Sequence, residues 1–398
     1  MAILSVNAGS SSLKFSLYPL INTEVQPQIL SGLIEGLEPG GAPQMSWTYQ
    51  GQHHNRALAV VDERVFAQAL LSLRELLVQL PGVPALQAVS HRVVHGAAMY
   101  RASVIVANEV LAQLTAFISL APLHQPHNLA GIRAFGEAFP GLPQVACFDT
   151  AFHATLPEVD YRFALPQDLY EQGLRRYGFH GLSYQYVMST LLAQSPRAKG
   201  RTLMAHLGNG ASLCAARDGK SCSTTMGFSA LDGLMMGTRP GAIDPGVMLY
   251  LLEQGWDHAR LQKLLYRQSG LLGMSGISAD MRRLRADTSA SAKLAIDAFT
   301  YRVVRETGAL VACMQGLDVL AFSGGIGEHD VVLRAAVGQQ LAWLGVVIDP
   351  ELNAQATGTD VMAIHAQTSQ IEVWVVLTDE GVVAAREAAK LIGAPARC

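Results

Sequence analysis

The chain has 398 residues, 50% of them hydrophobic and only 15% charged, against a usual charged share of about 25%. That length predicts two domains at roughly 100–200 residues each, and the apolar content excludes intrinsic disorder. The 29 Lys+Arg and 32 Asp+Glu leave a net charge of −3, so no overall positive field exists to hold nucleic acid or an anionic membrane.

In chain order, the N-terminal Met1-Ala2-Ile3-Leu4-Ser5-Val6-Asn7 has no basic segment ahead of its apolar residues and does not read as a signal peptide. A strand over Ile3–Val6 runs through a polar turn into a second strand, Leu13–Tyr18. The turn is Asn7-Ala8-Gly9-Ser10-Ser11-Ser12-Leu13-Lys14. Its glycine and serines let backbone N–H groups and hydroxyls approach a phosphate, and Lys14 adds one positive charge. It lacks the Gly-Lys-Ser/Thr ending of a Walker A loop, and an ordinary hairpin turn explains the same residues. His53-His54 sits in a polar stretch read as a loop. Between Asp62 and Leu80, apolar residues at Phe66, Ala69, Leu70, Leu73, Leu76, Leu77 and Leu80 recur with helical spacing, and Pro81-Gly82 ends the helix. Buried strands are expected at Ala85–Val89, Val145–Phe148, Leu203–Leu207, Val319–Phe322 and Val373–Leu377, and a second long helix over 289–315. Strands interleaved with helices predict an α/β fold. No run of ~18 apolar residues occurs, so no membrane helix is expected. Cys147, Cys214, Cys222, Cys313 and Cys398 contain no Cys-x-x-Cys pair and read as reduced thiols of a cytoplasmic protein.

Met204-Ala205-His206-Leu207-Gly208-Asn209-Gly210-Ala211-Ser212 repeats the strand–turn–strand plan of the N-terminus about 200 residues later. That predicts two related α/β halves, each presenting a polar turn to a common cleft. The first half spans residues 1–150 and is completed by a C-terminal helix, 384–398. The second spans 151–383.

Three segments combine cations with glycine: Ser90-His91-Arg92-Val93-Val94-His95-Gly96, Arg175-Arg176-Tyr177-Gly178-Phe179-His180-Gly181 and Met236-Gly237-Thr238-Arg239-Pro240-Gly241. An arginine at such a place can clamp carboxylate or phosphate bidentately, although a lone one also serves as a surface ion pair. Gly324-Gly325-Ile326-Gly327-Glu328-His329 follows a strand and precedes a helical pattern, Val331–Leu344. Such a turn exposes helix N-terminal N–H groups to an anion, or simply packs strand against helix. Asp149 and Glu380 each end a strand run. Carboxylates there suit Mg²⁺, or cap the next helix. No histidine cluster has zinc-ligand spacing and no Gly-x-Ser-x-Gly elbow is present.

Taken together, Asn7–Lys14, Ser90–Gly96, Phe148-Asp149-Thr150-Ala151-Phe152-His153, Arg176–Gly181, His206–Ser212, Met235-Met236-Gly237-Thr238-Arg239 and Gly324–Glu328 resemble the acetate kinase family, in order and over nearly the whole chain. The resemblance implies the duplicated ribonuclease H-like fold of the acetate and sugar kinase/Hsp70/actin superfamily, with a nucleotide cleft between its two domains. It implies a homodimer that takes ATP, Mg²⁺ (or Mn²⁺ in its place) and acetate or another short carboxylate, giving ADP and an acyl phosphate reversibly. By resemblance, Asn7 and Glu380 hold the metal. Lys14, His206, Leu207, Gly208, Asn209, Gly210, Gly325, Ile326, Gly327, Glu328 and His329 contact the nucleotide phosphates, and Asp280, Met281 and Arg282 border the adenosine. Arg92 holds the acid's carboxylate, and Val94, Leu123, Phe179 and Ala230 line its alkyl pocket. Asp149, His180 and Arg239 are catalytic.

Transferring phosphoryl charge is spread over three oxygens, so catalysis needs positioning and positive charge. Arg92, His180 when protonated, Arg239 and Mg²⁺ would supply it. A carboxylic acid, with pKa near ~4–5, is already ionised at neutral pH. It needs no general base, so Asp149 is expected to position Mg²⁺ or its water. The chain departs from the family's usual residues at Ala230 (proline), Tyr184 (histidine), Leu182 (threonine), His329 (asparagine), Ala97 (glycine) and Ser223 (aspartate). Losing a ring at Ala230 enlarges the alkyl pocket, where one methylene discriminates by only about 1–3 kcal/mol. A propionate or butyrate kinase is therefore the nearest alternative, and a non-catalytic ATP-binding module the more distant one.

Overall fold

The computed structural model describes residues 1–398 apart from 10, 39, 59–64, 123 and 394–398. It divides into two compact units, residues 1–151 with 379–398, and residues 152–378.

The sheet of the first unit contains β1 (Ala2–Ala8), β2 (Ser12–Ile21), β3 (Glu24–Val25), β4 (Leu30–Glu35), β5 (Gln44–Tyr49), β6 (Gln52–Ala57), β7 (Leu86–Val93), β8 (Val104–Ile105) and β9 (Gln144–Phe148). Their spatial order is β6-β5-β4-β2-β1-β7-β9-β8, with β3 beside β2. β1, β7 and β9 are parallel neighbours, and β1 and β2 form an antiparallel hairpin. In β2, Leu13, Phe15 and Leu17 are buried while Lys14 is exposed, the alternation of a half-covered strand. β9 is buried along its whole length. The inner face packs Leu4, Val6, Phe15 and Ile34 against Leu70, Leu73 and Leu77 of the helix Val65–Gln79. The helix Glu380–Gly393 belongs to this unit and buries Val382, Val383, Ala384 and Ala385.

The stretch around His53-His54 is not a loop but β6, at the edge of the sheet. Its residues are mostly exposed, so polar composition hid the strand; pairing with β5 stacks His54 on Trp47, with ring centroids 5.2 Å apart.

The second unit contains β10 (Arg201–Leu207), β11 (Ala211–Arg217), β12 (Lys220–Thr224), β13 (Val319–Ser323), β14 (Met362–Ala363) and β15 (Glu372–Val375), ordered β12-β11-β10-β13-β15-β14. A hairpin, β10–β11, again stands beside two parallel strands, β13 and β15. The plan matches β1–β2 with β7 and β9, so the internal repeat is real at the level of topology. The helix Ala290–Met314 buries Phe299, Val303 and Leu310. Ser289 caps its start by accepting from the Ala292 amide at 3.2 Å, and Gln315 ends it in the left-handed region.

Candidate active site

In the first unit the three parallel strands end side by side. Register pairs Val6 with His91 and Arg92 with Cys147, so Asn7, Arg92 and Asp149 emerge at one carboxyl edge, the usual ligand edge of an α/β sheet. Lys14, exposed, is the cross-strand partner of Asn7. The Arg92 guanidinium grips Asp149 bidentately, Nε to Oδ1 at 3.0 Å and Nη2 to Oδ2 at 2.7 Å. Its Nη1 lies 3.1 Å from Glu380 Oε2. Asp149 is 2% exposed, whereas Arg92 and Glu380 remain about a quarter exposed. Burial pushes the Asp149 carboxyl up, against the pull of Arg92. Burial also works against the Arg92 charge, but Asp149 and Glu380 outweigh it and raise its pKa.

Glu380 starts a helix capped by Asp379, whose Oδ1 accepts from the Val382 amide at 2.9 Å and the Tyr18 hydroxyl at 2.7 Å. Mg²⁺ characteristically uses one or two carboxylates and keeps waters and substrate phosphates. Asp149 and Glu380 with the Asn7 carbonyl oxygen are a donor set of that kind. Among the described residues no group of three or more His, Cys, Asp and Glu could hold a metal ion. Sequence reading missed Asn128, a buried amide that accepts from the Val94 N–H and donates to the Ala8 carbonyl, both at 3.0 Å. It ties the end of β1 to the segment after β7. Leu123 lies outside the described residues.

In the second unit, Gly208-Asn209-Gly210 closes the β10–β11 hairpin, the Gly208 N–H donating to the Gly210 carbonyl at 3.0 Å. The segment after β13 lies against it. Gly324 has φ +72°, and a Cβ there would sit 2.8 Å from the Leu207 carbonyl oxygen, so glycine is required. The glycine-rich turn expected from sequence is itself a short helix, Gly324–His329. Gly325 and His329 are exposed, Ile326 is half-buried and Gly327 is buried. Glu328 turns inward: Oε1 accepts from the Gly324 N–H at 2.9 Å and the Thr378 N–H at 3.1 Å. His329 Nδ1 lies 2.8 Å from the Thr357 carbonyl.

Arg239 reaches the hairpin turn. Its Nη1 donates to the Ala230 carbonyl at 2.7 Å, and Nη2 lies 2.8 Å from where a Cβ on Gly210 would be. Among the described residues no carboxylate is within ion-pair distance of it, and burial pulls its pKa below the ordinary arginine value. A half-buried cation without a carboxylate partner suits an anion. His180 stands beside it, its Nε2 3.3 Å from the same Gly210 position. His180 has φ +58° at the start of the helix Gly181–Gln194, and its ring lies tilted against that of His206 with centroids 4.2 Å apart. His206 Nδ1 is 2.8 Å from Ser183 Oγ. Phe179 is buried, and its carbonyl accepts from His153 Nε2 at 2.9 Å; burial lowers His153 to about 4, so it stays neutral.

A Cβ on Gly237 would strike the Asn209 side chain and touch the Ala279 carbonyl, which brings the 279–282 segment against the hairpin turn. There Asp280 caps a short helix and is chelated by the exposed Arg282, Nη2 to Oδ2 at 2.8 Å. Those bonds hold Asp280 down to about 2. Met281 is buried beneath them. Of the three cation–glycine segments, the middle one has a structural arginine pair. Arg176 donates to the carbonyls of Thr224 and Met226 at 3.1 and 3.0 Å, and Arg175 stacks 3.5 Å above the Tyr161 ring.

The family model described as the Acetokinase family matches residues 2–386. Over 406 aligned positions the chain is 47% identical to the acetate kinase of Rhodopseudomonas palustris, covering 98% of each protein. It is 46% identical to that of Nitrobacter hamburgensis, covering 98% of this chain and 96% of the relative. Among solved structures it superposes on a propionate kinase from Francisella tularensis with a TM-score of 0.89 and 36% identity, over 97% and 98% of the two chains. On Porphyromonas gingivalis acetate kinase the TM-score is 0.87 with 35% identity, over 98% and 99%.

Proposed function

The chain belongs to the acetokinase family, and from that premise we propose that it phosphorylates acetate with ATP, reversibly, giving acetyl phosphate and ADP. The P–O bond between the γ-phosphorus and ADP breaks as a bond from an acetate oxygen to that phosphorus forms. No proton moves, because acetate is already ionised at neutral pH. The fold is the two-sheet α/β fold of the actin/sugar kinase/Hsp70 class.

The observation that supports the reaction most directly is Arg239. It is a half-buried guanidinium with no carboxylate partner among the described residues, next to His180 at a glycine-lined turn. Equatorial phosphoryl oxygens carry the spread charge of the transition state, and preorganised donors are worth most where water is excluded. Arg239 and His180 are the catalytic donors in this reading. Arg92, with N–H groups beyond those given to Asp149 and Glu380, holds the acid's carboxylate. By resemblance to the family, Val94, Phe179 and Ala230 are assigned to the acid's alkyl group. By the same resemblance, Lys14, the His206–Gly210 turn and Gly325–His329 are assigned to the nucleotide phosphates, and Asp280–Arg282 to the adenosine. Mg²⁺, when bound, neutralises phosphate charge, and Asn7, Asp149 and Glu380 are the residues that hold it.

The reading includes a cytoplasmic homodimer. The helix Pro245–Glu253 has no buried residue and exposes Val247, Leu249, Tyr250 and Leu252, an apolar face that a second copy would cover. No helix among the described residues is long and apolar enough to cross a membrane.

Purified protein with ATP, Mg²⁺ and hydroxylamine should yield acyl hydroxamate with two- to five-carbon acids, acetate giving the highest turnover. Light scattering on the same sample should report two copies. ATP hydrolysis without hydroxamate from any acid would overturn the reaction. Propionate outrunning acetate would replace the substrate and keep the reaction.

A further inference from the structure

Tyr184 lies one turn beyond His180 on the helix Gly181–Gln194 and is fully buried. Both side chains reach the same strand, β11. There Ser212 Oγ lies 2.5 Å from Tyr184 Oη and 2.9 Å from His180 Nδ1. Three groups are thus joined by two hydrogen bonds, and their directions follow from counting hydrogens.

Ser212 has one hydroxyl hydrogen, for either Tyr184 or His180. If it went to Tyr184, the phenol hydrogen would need another acceptor. Among the described residues the phenol oxygen's hydrogen-bond partner is Ser212 Oγ, so that hydrogen would have no acceptor. A buried O–H left without an acceptor is costly. Burial also pushes the phenol well above its usual pKa, so its hydrogen is never lost under physiological conditions. The chain of donors therefore runs from Tyr184 to Ser212 to His180 Nδ1. An imidazole whose Nδ1 accepts carries its proton on Nε2 when neutral. Nε2 is the nitrogen beside Gly210 and Arg239.

We propose that Tyr184 is a positioning residue for phosphoryl transfer: through Ser212 it holds His180 as the Nε2–H tautomer, so the uncharged ring donates to the transferring phosphoryl. The inference rests on the kinase reading of this site. It assigns the net positive charge to Arg239 and leaves His180 a neutral donor. The surroundings agree. Arg239 stands next to Nε2 and disfavours a second cation there. The His206 ring lies tilted against it. His153, its ring 5.7 Å from that of Tyr184, is kept neutral by burial, and burial likewise keeps the Cys214 thiol protonated.

Nitrogen NMR of the protein labelled with ¹⁵N-histidine tests the tautomer directly. With His180 assigned by its disappearance in His180→Gln, Nδ1 should resonate as an unprotonated nitrogen and Nε2 as an N–H at neutral pH. Kinetics test the consequence. In Tyr184→Phe the Ser212 hydroxyl can turn and accept from Nδ1–H, so the neutral ring loses its preferred tautomer. The variant's kcat should be about tenfold below wild type near pH 8.5, with KM for acetate and ATP within about twofold. Its ratio to wild type should rise toward one at acid pH, where a charged ring carries a proton on both nitrogens. Ser212→Ala should show the same trend and serves if Tyr184→Phe does not fold. A protonated Nδ1 in the wild type, or a ratio constant with pH, overturns the proposal. A wild type that forms no acyl phosphate overturns the kinase reading instead, and the NMR result still decides the tautomer.

Discussion

Arg92 and Asp149 each make the other's burial tolerable. A carboxylate 2% exposed would be strongly disfavoured alone, and the bidentate guanidinium compensates it. Glu380 adds a second negative charge to the same cation, leaving the group one negative charge in excess for a divalent cation. Asp149→Asn should therefore do more than slow the reaction. The Mg²⁺ concentration for half-maximal activity should rise about 10–100-fold, measured by titrating the metal at saturating ATP and acetate. Unchanged Mg²⁺ dependence with lost activity would remove Asp149 from the metal site. Arg92, Asp149, His180 and Arg239 stand out as candidates in the sequence because each sits in a short run of glycine, cation or strand-end acid. Asn128 and Ser212 could not. Their partners are carbonyls, amides and ring nitrogens far along the chain, and nothing local marks an amide or a hydroxyl as essential.

At the level of elements, the short helix Gly324–His329 shows how a glycine-rich turn is made rigid. Glu328 pins its first N–H to Thr378 from beneath. Arg334, fully buried, closes the other end: it donates to the carbonyls of Gly327, Glu328, Asn353 and Ala356 and to the Asn353 side chain, all within 2.8–2.9 Å. Burial lowers its pKa only to about 10, so the cation persists, held by helix-end carbonyls. Arg334→Met would strand those acceptors and should cost roughly 3 kcal/mol or more, lowering Tm by about 6–12 °C. KM for ATP should rise in the same variant. Calorimetry and steady-state kinetics check both, and a stable variant with unchanged KM would refute the bracing role. The 3.6-residue stripe of Ala290–Met314 was legible because period and caps are local. β6 was not, since an exposed edge strand has the composition of a loop.

Across the whole molecule, the same plan occurs twice, and each unit buries a neutral histidine in its structure. His91, bonded to Gln144 Oε1 at 2.6 Å, and His153 are both lowered to about 4 by burial. Unfolded histidine titrates near ~6.5, so between about pH 6.5 and 4 the unfolded chain binds more protons than the folded one. Stability is complete above that window and falls as the pH drops through it. Thermal melts should show Tm constant from about pH 7 to 8 and declining below about 6.5. A flat Tm down to about pH 4.5 would contradict the buried neutral state. The sequence by itself determined the α/β class, the repeated strand–turn–strand opening and the family, and it marked the charged side chains that are candidates for the site. All of these are written in local periodicity and short motifs. Only the tertiary structure decided which cations remain unpaired, which arginines serve carbonyls, and which way the hydrogens run from Tyr184 to His180. Those outcomes depend on partners brought together by sheet register, and register is a property of strands that meet after long stretches of intervening chain.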